Sequence, residues 1–242
     1  ESRLPLQRIE VPPPGGTFCI GGSAIDAREQ VVRVARAIAG NGMGHAASGN
    51  LSLREGAGFW ISPSGVGFER VAREQLVRVP LAGEPGPGPW RPSSEWRLHQ
   101  ALYQRLEGIG GIVHVHSPFA TALAVAREPL PLIHYQIAEA GPLVPVAPYR
   151  TFGSAELAAV VADTLVAAGG RAALMANHGL VTVGSDLAAA FRLARDVEWA
   201  ARIYLLAKAA GRPAVLGGRE RAAVLEALAG YGQPAQMFRE EH

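Results

Sequence analysis

Apolar residues recur at helical spacing in several stretches of the chain. The first covers residues 26–39, where Val31, Ala35 and Ile38 fall on one face, as in an amphipathic helix. Several helical stretches follow a serine or an aspartate, residues that favour the N-terminal cap of a helix. The further helices predicted from this pattern cover residues 95–106, 120–126, 154–168, 186–210 and 219–228.

Short apolar runs between these helices predict the strands of a sheet. Residues 50–53 and 59–62 form a predicted hairpin with its turn at residues 56–58. Residues 66–79 pass from a short polar segment into another apolar stretch. Further strands are predicted at residues 110–116, 130–136, 144–147, 172–176 and 180–183. Tight turns between neighbouring strands indicate an α/β domain whose sheet is largely antiparallel and covered by helices.

The proline and glycine content of residues 1–22 predicts an irregular N-terminal arm. Residues 23–242 contain no internal repeat and no linker of domain-separating length, so we expect one domain there. Of the 242 residues, 48% are hydrophobic and 18% are charged, which is typical of a globular protein.

Charge and cysteine content narrow the classes of function. A formal net charge of +2 predicts no basic patch for a nucleic-acid partner. No apolar run approaches the roughly 18 residues of a membrane span, so we expect no membrane partner. The single cysteine, Cys19, excludes an internal disulfide framework and favours a reducing compartment, so a cytoplasmic location is expected. Lys208 is the only lysine and ends a predicted helix, which argues against Schiff-base catalysis.

The segment around residues 110–118 contains a His-x-His pair, His114 and His116, on a predicted strand. Alternate residues of a strand share a face and lie about 6.6 Å apart, so the two imidazoles could hold one divalent metal. The pair alone fits ordinary strand histidines equally well. An open zinc site usually takes three protein ligands, and His178 is the best third candidate because Gly179 lets the backbone come close.

Glu95 allows two interpretations at the start of its predicted helix. The helix dipole stabilises a carboxylate there whatever its function. Alternatively, the hydroxyls of Ser93 and Ser94 and the free N–H groups bind an anion, and the carboxylate moves protons beside it. Gly49 with Asn50, and Ser64 with Gly65, are further small polar sites of the kind that enclose a phosphate.

Five short motifs occur in a characteristic order. They are Gly-Asn-Leu-Ser at residues 49–52, Ser-Pro-Ser-Gly at 62–65, Ser-Ser-Glu at 93–95, His-Val-His at 114–116 and Asn-His-Gly at 177–179. In this order they resemble the class II aldolase/adducin family, over about residues 25–232. Residues 134–138 and 147–153 look most like the branch of that family that acts on L-fuculose 1-phosphate. Glu-Ala-Gly-Pro at residues 139–142 departs from that branch and leaves the shape of the aldehyde pocket open.

The resemblance implies a single-domain, three-layer α/β/α fold around a mostly antiparallel, mixed sheet. It also implies one zinc ion per chain on His114, His116 and His178. Glu95 matches the catalytic glutamate of the family, which is also a metal ligand when substrate is absent. The phosphate-binding positions that the resemblance implies are Gly49, Asn50, Ser64, Gly65, Ser93 and Ser94.

Two tyrosines complete the site that the resemblance implies. Tyr135 matches a tyrosine of proton transfer at the aldehyde oxygen. Tyr231, in Gly-Tyr-Gly at residues 230–232, matches a tyrosine that reaches a neighbouring subunit's site in a fourfold tetramer. A homotetramer with its sites at subunit interfaces is therefore expected.

The activity implied by the resemblance is zinc-dependent aldol cleavage. A small phosphorylated sugar, a ketose 1-phosphate similar to L-fuculose 1-phosphate, would be split reversibly into dihydroxyacetone phosphate and a short aldehyde. A pentulose-phosphate 4-epimerase is an alternative, although that branch has Asp where this chain has Glu95. A methylthioribulose-1-phosphate dehydratase and a non-enzymatic adducin-like scaffold, which loses the metal ligands, are the others.

Overall fold

A seven-stranded sheet forms the centre of the structure, a computed structural model that describes residues 26–230. The strands are β1 (Asn50–Glu55), β2 (Gly58–Ile61), β3 (Val77–Pro80), β4 (Gly111–Val115), β5 (Leu130–Pro131), β6 (Leu143–Val144), β7 (Val146–Ala147), β8 (Ala172–Met175) and β9 (Gly179–Gly184). The sheet order is β3-β2-β1-β4-β9-β8-β7, and β5 and β6 form a separate pair. Within the large sheet β7 and β8 pair in parallel and every other pair is antiparallel. The prediction of a largely antiparallel, mixed sheet is confirmed.

Helices cover both faces of the sheet. They are α1 (Ala27–Gly40), α2 (Trp96–Arg105), α3 (Pro118–Ala126), α4 (Ala155–Ala168), α5 (Leu187–Ala210) and α6 (Gly218–Ala229). One hydrophobic core joins the sheet to α1, α3 and α5, and a second joins its other face to α2 and α4. This is the expected three-layer arrangement. No helix between residues 26 and 230 is long and apolar enough to span a membrane.

Side-chain caps fix where three of the helices begin. Asp26, Ser154 and Asp186 each accept a backbone N–H from the first turn that follows. Such caps satisfy N–H groups that have no partner within the helix. The starts predicted from these residue types therefore hold.

Strand β4 lies in the middle of the sheet and is buried along its whole length. Val113 and Val115 pack in the core of α1, α3 and α5, whereas Ile112 packs in the core of α2 and α4. Because side chains alternate along a strand, His114 shares the face of Ile112. The fold thus fixes a histidine in the interior, at the edge where β4 ends.

The prediction of long strands at residues 130–136 and 144–147 is wrong. Proline has no N–H for a strand ladder, and Pro131 and Pro145 lie within these segments. Strand β5 is accordingly only two residues long, and a 3-10 helix, Tyr135–Ala140, follows it. The second segment divides at Pro145 into β6, which pairs with β5, and β7, which pairs with β8.

Two helix starts also differ from prediction. Helix α2 begins at Trp96, so Glu95 occupies the N-cap position instead of the first turn. Helix α3 begins at Pro118 because proline, with its fixed φ and missing N–H, suits the first helical position. The predicted N-terminal arm and Tyr231 lie outside the described residues.

Candidate active site

Three histidines converge where β4 and β9 meet. His114 lies on β4, His116 directly follows it, and His178 lies in the turn before β9. Because β4 and β9 are antiparallel, with Val115 opposite Leu180, the end of one strand lies beside the start of the other. Each pair of imidazole centroids is 4.9 Å apart. One nitrogen from each ring lies within 4.8 Å of the other two, which is close enough for a shared metal ion.

The turn before β9 needs a glycine to bring these rings together. A Cβ at Gly179 would lie 2.5 Å from the Val115 carbonyl oxygen and 3.0 Å from Cδ2 of His116. Asn177, two residues earlier, adopts a positive φ of 55°, a conformation that asparagine tolerates better than most residues. The predicted role of Gly179 in close backbone approach agrees with this geometry.

The hydrogen bonds of His114 direct one lone pair into the cluster. Its Nδ1–H donates to the Leu180 carbonyl oxygen at 2.9 Å, so its Nε2 carries the lone pair. This Nε2 lies 3.1 Å from Nε2 of His116. Burial lowers the pKa of His116 to about 3 and the pKa of His178 to about 4, which keeps both rings neutral. Three neutral imidazoles with converging nitrogens fit a divalent metal of the zinc type.

The carboxylate of Glu95 completes the cluster. Its Oε2 lies 3.1 Å from Nε2 of His114 and accepts a hydrogen bond from Nδ2 of Asn50 at 3.0 Å. Its Oε1 is buried 3.4 Å from Nε2 of His178 and has no hydrogen-bond donor among the described residues. Burial raises the pKa of Glu95, but His114, His178 and Asn50 outweigh it and hold the pKa well below its ordinary value. The side chain makes no cap bond to α2, so its contacts are with the histidines and Asn50.

A proton and a metal ion would compete for the same nitrogen of His114. Burial lowers the pKa of this ring, but the nearby carboxylate of Glu95 raises it further, so the net shift is upward. A carboxylate that attracts a proton to this position attracts a cation there as well. An orphaned carboxylate oxygen and three histidines therefore form a donor set that a metal would satisfy.

A cavity of about 300 Å³ opens beside the cluster. Two hydrogen bonds join the loops of its wall: Ser64 N–H to the Arg91 carbonyl oxygen and Ser93 N–H to the Ser62 carbonyl oxygen, each 3.0 Å. All six phosphate-binding positions implied by the resemblance line this cavity. The lining residues are Ala47, Ser48, Gly49, Asn50, Pro63, Ser64, Gly65, Ser93, Ser94, Glu95, His116, Tyr149, Arg150, Phe152, Asn177 and His178.

The cavity also contains residues that the sequence analysis did not assign. Arg150 is the only lysine or arginine among the described lining residues, and it lies between the aromatic side chains of Tyr149 and Phe152. Phe152 is 68% exposed, so it forms part of the open rim. The segment was recognisable as a motif, and an arginine within it was the available signal.

Tyr135 is not among the residues that line the cavity. Its side chain is half exposed, and its ring lies 4.5 Å from His134, which in turn is 4.6 Å from Trp199 of α5. Lys208 forms an ion pair with Glu128 at 2.5 Å near the end of α5, away from the cavity lining. The structure thus assembles the histidines, Glu95 and the phosphate loops, but does not place Tyr135 with them.

Known proteins match both the chain and its fold. Residues 29–205 match the family model described as "Class II Aldolase and Adducin N-terminal domain". The 5-methylthioribulose-1-phosphate/5-deoxyribulose-1-phosphate aldolase of Rhodospirillum rubrum is 38% identical over 218 residues, 89% of this chain and 97% of that protein. The L-fuculose phosphate aldolase of Escherichia coli K12 is 38% identical over 193 residues, 79% and 88% of the two chains. A solved L-fuculose 1-phosphate aldolase superposes with a TM-score of 0.81 at 36% identity, covering 86% of this chain and 98% of its own.

The chain therefore belongs to the class II aldolase and adducin family. Within that family it is an enzyme of the aldolase type, as are the curated relatives named above. The expected family, fold class and enzyme class are confirmed. The family match and the three-histidine group agree on a centre able to bind a metal.

Proposed function

We propose that this protein is a zinc-dependent aldolase that reversibly cleaves a ketose 1-phosphate into dihydroxyacetone phosphate and a short aldehyde. The observation that carries the proposal is the convergence of three histidines and Glu95 beside a cavity with phosphate-type loops. Relatives named for L-fuculose phosphate, 5-deoxyribulose 1-phosphate and 5-methylthioribulose 1-phosphate support a small phosphorylated sugar as the substrate.

His114, His116 and His178 would hold the metal. Bound there, a divalent ion would supply Lewis-acid chemistry to oxygen atoms of the substrate. The hydrogen bond from His114 to the Leu180 carbonyl oxygen fixes the tautomer and ring orientation, as outer-shell partners of metal ligands do.

Glu95 would move the proton at the carbon that becomes nucleophilic. The contacts of its Oε2 to Asn50 and His114 hold the carboxylate in place. Its Oε1 has no hydrogen-bond donor among the described residues, which leaves a basic oxygen available to a substrate proton. A general base must come within hydrogen-bond reach of that proton, and Glu95 lines the cavity where the substrate would bind.

The phosphate would lie among the loops of Gly49, Ser64, Gly65, Ser93 and Ser94. Hydroxyls and N–H groups at the start of α2 suit an anion, and the cavity brings them together. Arg150 adds a positive charge at this cavity, since guanidinium groups pair well with phosphate. Binding there would hold the reacting carbons in register with Glu95.

Ser94→Ala tests the phosphate assignment. We expect KM for the phosphorylated substrate to rise about tenfold, the effect of losing one hydrogen bond to a charged group. Metal content should not change, because Ser94 contacts none of the histidines. Steady-state kinetics with elemental analysis measure both, and Ser185→Ala, an exposed serine outside the cavity, is the control. Loss of metal with an unchanged KM would contradict the assignment.

The proposal assigns Tyr135 to a second copy of the chain. Because Tyr135 does not line its own cavity, it would act on an aldehyde oxygen only in the site of a neighbouring subunit. We therefore include a homotetramer with sites at subunit interfaces in the proposal, with Tyr231 as a further contributor. We also propose a cytoplasmic location, which the single cysteine supports.

A panel of sugar phosphates tests the activity directly. L-fuculose 1-phosphate, 5-deoxyribulose 1-phosphate and 5-methylthioribulose 1-phosphate are incubated with zinc-loaded protein, and release of dihydroxyacetone phosphate is measured. We expect release from at least one ketose 1-phosphate and none after the metal is removed. Epimerisation of a pentulose phosphate, or loss of water from methylthioribulose 1-phosphate, without any dihydroxyacetone phosphate would instead indicate one of the related activities.

A further inference from the structure

A chain of buried polar side chains leads from the interior of α2 to Glu95. The Tyr103 hydroxyl is 2.9 Å from Oγ of Ser52, which is 2.6 Å from Nδ1 of His99. Nε2 of His99 is 2.6 Å from Oδ1 of Asn50, whose Nδ2 is 3.0 Å from Oε2 of Glu95. His99 and Ser52 are completely buried. Buried polar side chains need such partners, so the chain is an integral part of the interior.

The carboxylate at one end determines the direction of every hydrogen bond. Glu95 is ionised and can only accept, so the amide nitrogen of Asn50 must face it and Oδ1 must face His99. Burial, reinforced by nearby His114, lowers the pKa of His99 to about 3, so its ring is neutral and has one donor and one acceptor. Nε2–H of His99 therefore donates to Asn50, and Nδ1 accepts from the hydroxyl of Ser52.

We infer that His99 is a positioning residue that holds the amide of Asn50 with its N–H groups toward Glu95 and the cavity. If the amide turned over, Oδ1 would face the Glu95 carboxylate and the amide nitrogen would face Nε2–H of His99, and both contacts would be repulsive. In the observed orientation one N–H of Asn50 binds Glu95, and the other remains for an anionic substrate. The catalytic part of this inference rests on the proposed function, whereas the orientation of Asn50 does not.

Selective labelling observes this orientation without any assay of activity. The asparagines of the chain are Asn41, Asn50 and Asn177, so protein labelled with ¹⁵N at the asparagine side chain gives few amide signals. Asn50→Ala identifies the signal of Asn50. We expect its amide protons to be well separated and slow to exchange with water in the wild type. In His99→Leu they should broaden and exchange faster, whereas His99→Gln, which keeps a donor, should partly restore them.

A double-mutant cycle tests whether His99 acts through Asn50. With metal content matched, His99→Leu should slow exchange of the dihydroxyacetone phosphate proton by about 10–100-fold, as for a lost hydrogen bond to a charged group. In the Asn50→Ala background the same change should have almost no further effect. Thr182→Val is the control for general destabilisation, because it removes a buried hydroxyl that bonds to Ala190 on the opposite face of the sheet.

Each outcome either supports or overturns the inference. Equal losses in both backgrounds, or an unchanged Asn50 signal in His99→Leu, would show that His99 is only a structural residue. If His99→Leu does not fold, Ser52→Ala replaces it. That variant frees the tautomer of His99 and should change the Asn50 signal in the same direction, and an unaltered signal would overturn the inference. Wild-type protein without proton exchange would disprove the proposed function, while the spectra would still decide the orientation of Asn50.

Discussion

Replacing Glu95 by glutamine should slow the exchange of the dihydroxyacetone phosphate proton with heavy water by about 10²–10⁴-fold, the usual contribution of a positioned general base. Glutamine keeps the size and planarity of the side chain but cannot accept a proton. The three histidines remain, so the variant should still bind metal. The measurement is NMR-detected exchange on protein that contains metal and melts like the wild type.

The control separates catalysis from the helix dipole. Glu156 lies in the first turn of α4 and is exposed, so its carboxylate is near a helix N-terminus but far from any histidine of the cluster. Glu156→Gln should reduce the free energy of unfolding by about 0.3–1 kcal/mol and leave exchange unchanged. If Glu95→Gln behaves in the same way, Glu95 only complements the dipole. Tyr135 would then be the next residue to test as the base.

The sequence predicted best what depends on short-range periodicity. Alternation along β4 places His114 and His116 at one end of a buried strand, and Gly179 brings the next turn close enough for His178. The cap residues Ser154 and Asp186 fix two helix starts by local hydrogen bonds. Interactions within a few residues decide each of these features, so a single sequence contains enough information for them.

The sequence predicted less where distant segments compete. Apolar periodicity at residues 130–147 suggested two strands, but the prolines there deny the ladder its N–H groups and a 3-10 helix forms instead. The link between Asn50 and His99 joins residues 49 positions apart, and nothing local indicates it. The position of Arg150 in the cavity likewise depends on how its loop packs. Such contacts follow only from tertiary packing.

Removal of the metal should abolish aldol cleavage completely. We expect about one zinc ion, or a close substitute, per chain by elemental analysis, and loss of turnover when a chelator removes it. His116→Ala and His178→Ala should each weaken metal binding by more than the roughly 10–100-fold that loss of an outer-shell partner costs. Re-addition of zinc should restore the chelated wild type but not these variants at the same metal concentration.

His45→Gln is the matched control for the ligand assignment. His45 is exposed and is not part of the group formed by His114, His116 and His178, so its removal should leave metal content and turnover as they are. An anomalous-scattering peak elsewhere in a crystal of the loaded protein would contradict the ligand set. Full turnover in thoroughly stripped protein would contradict the mechanism itself. Glu95 could then still move a proton, but no group known in the cavity would stabilise the charge that its loss leaves on the substrate.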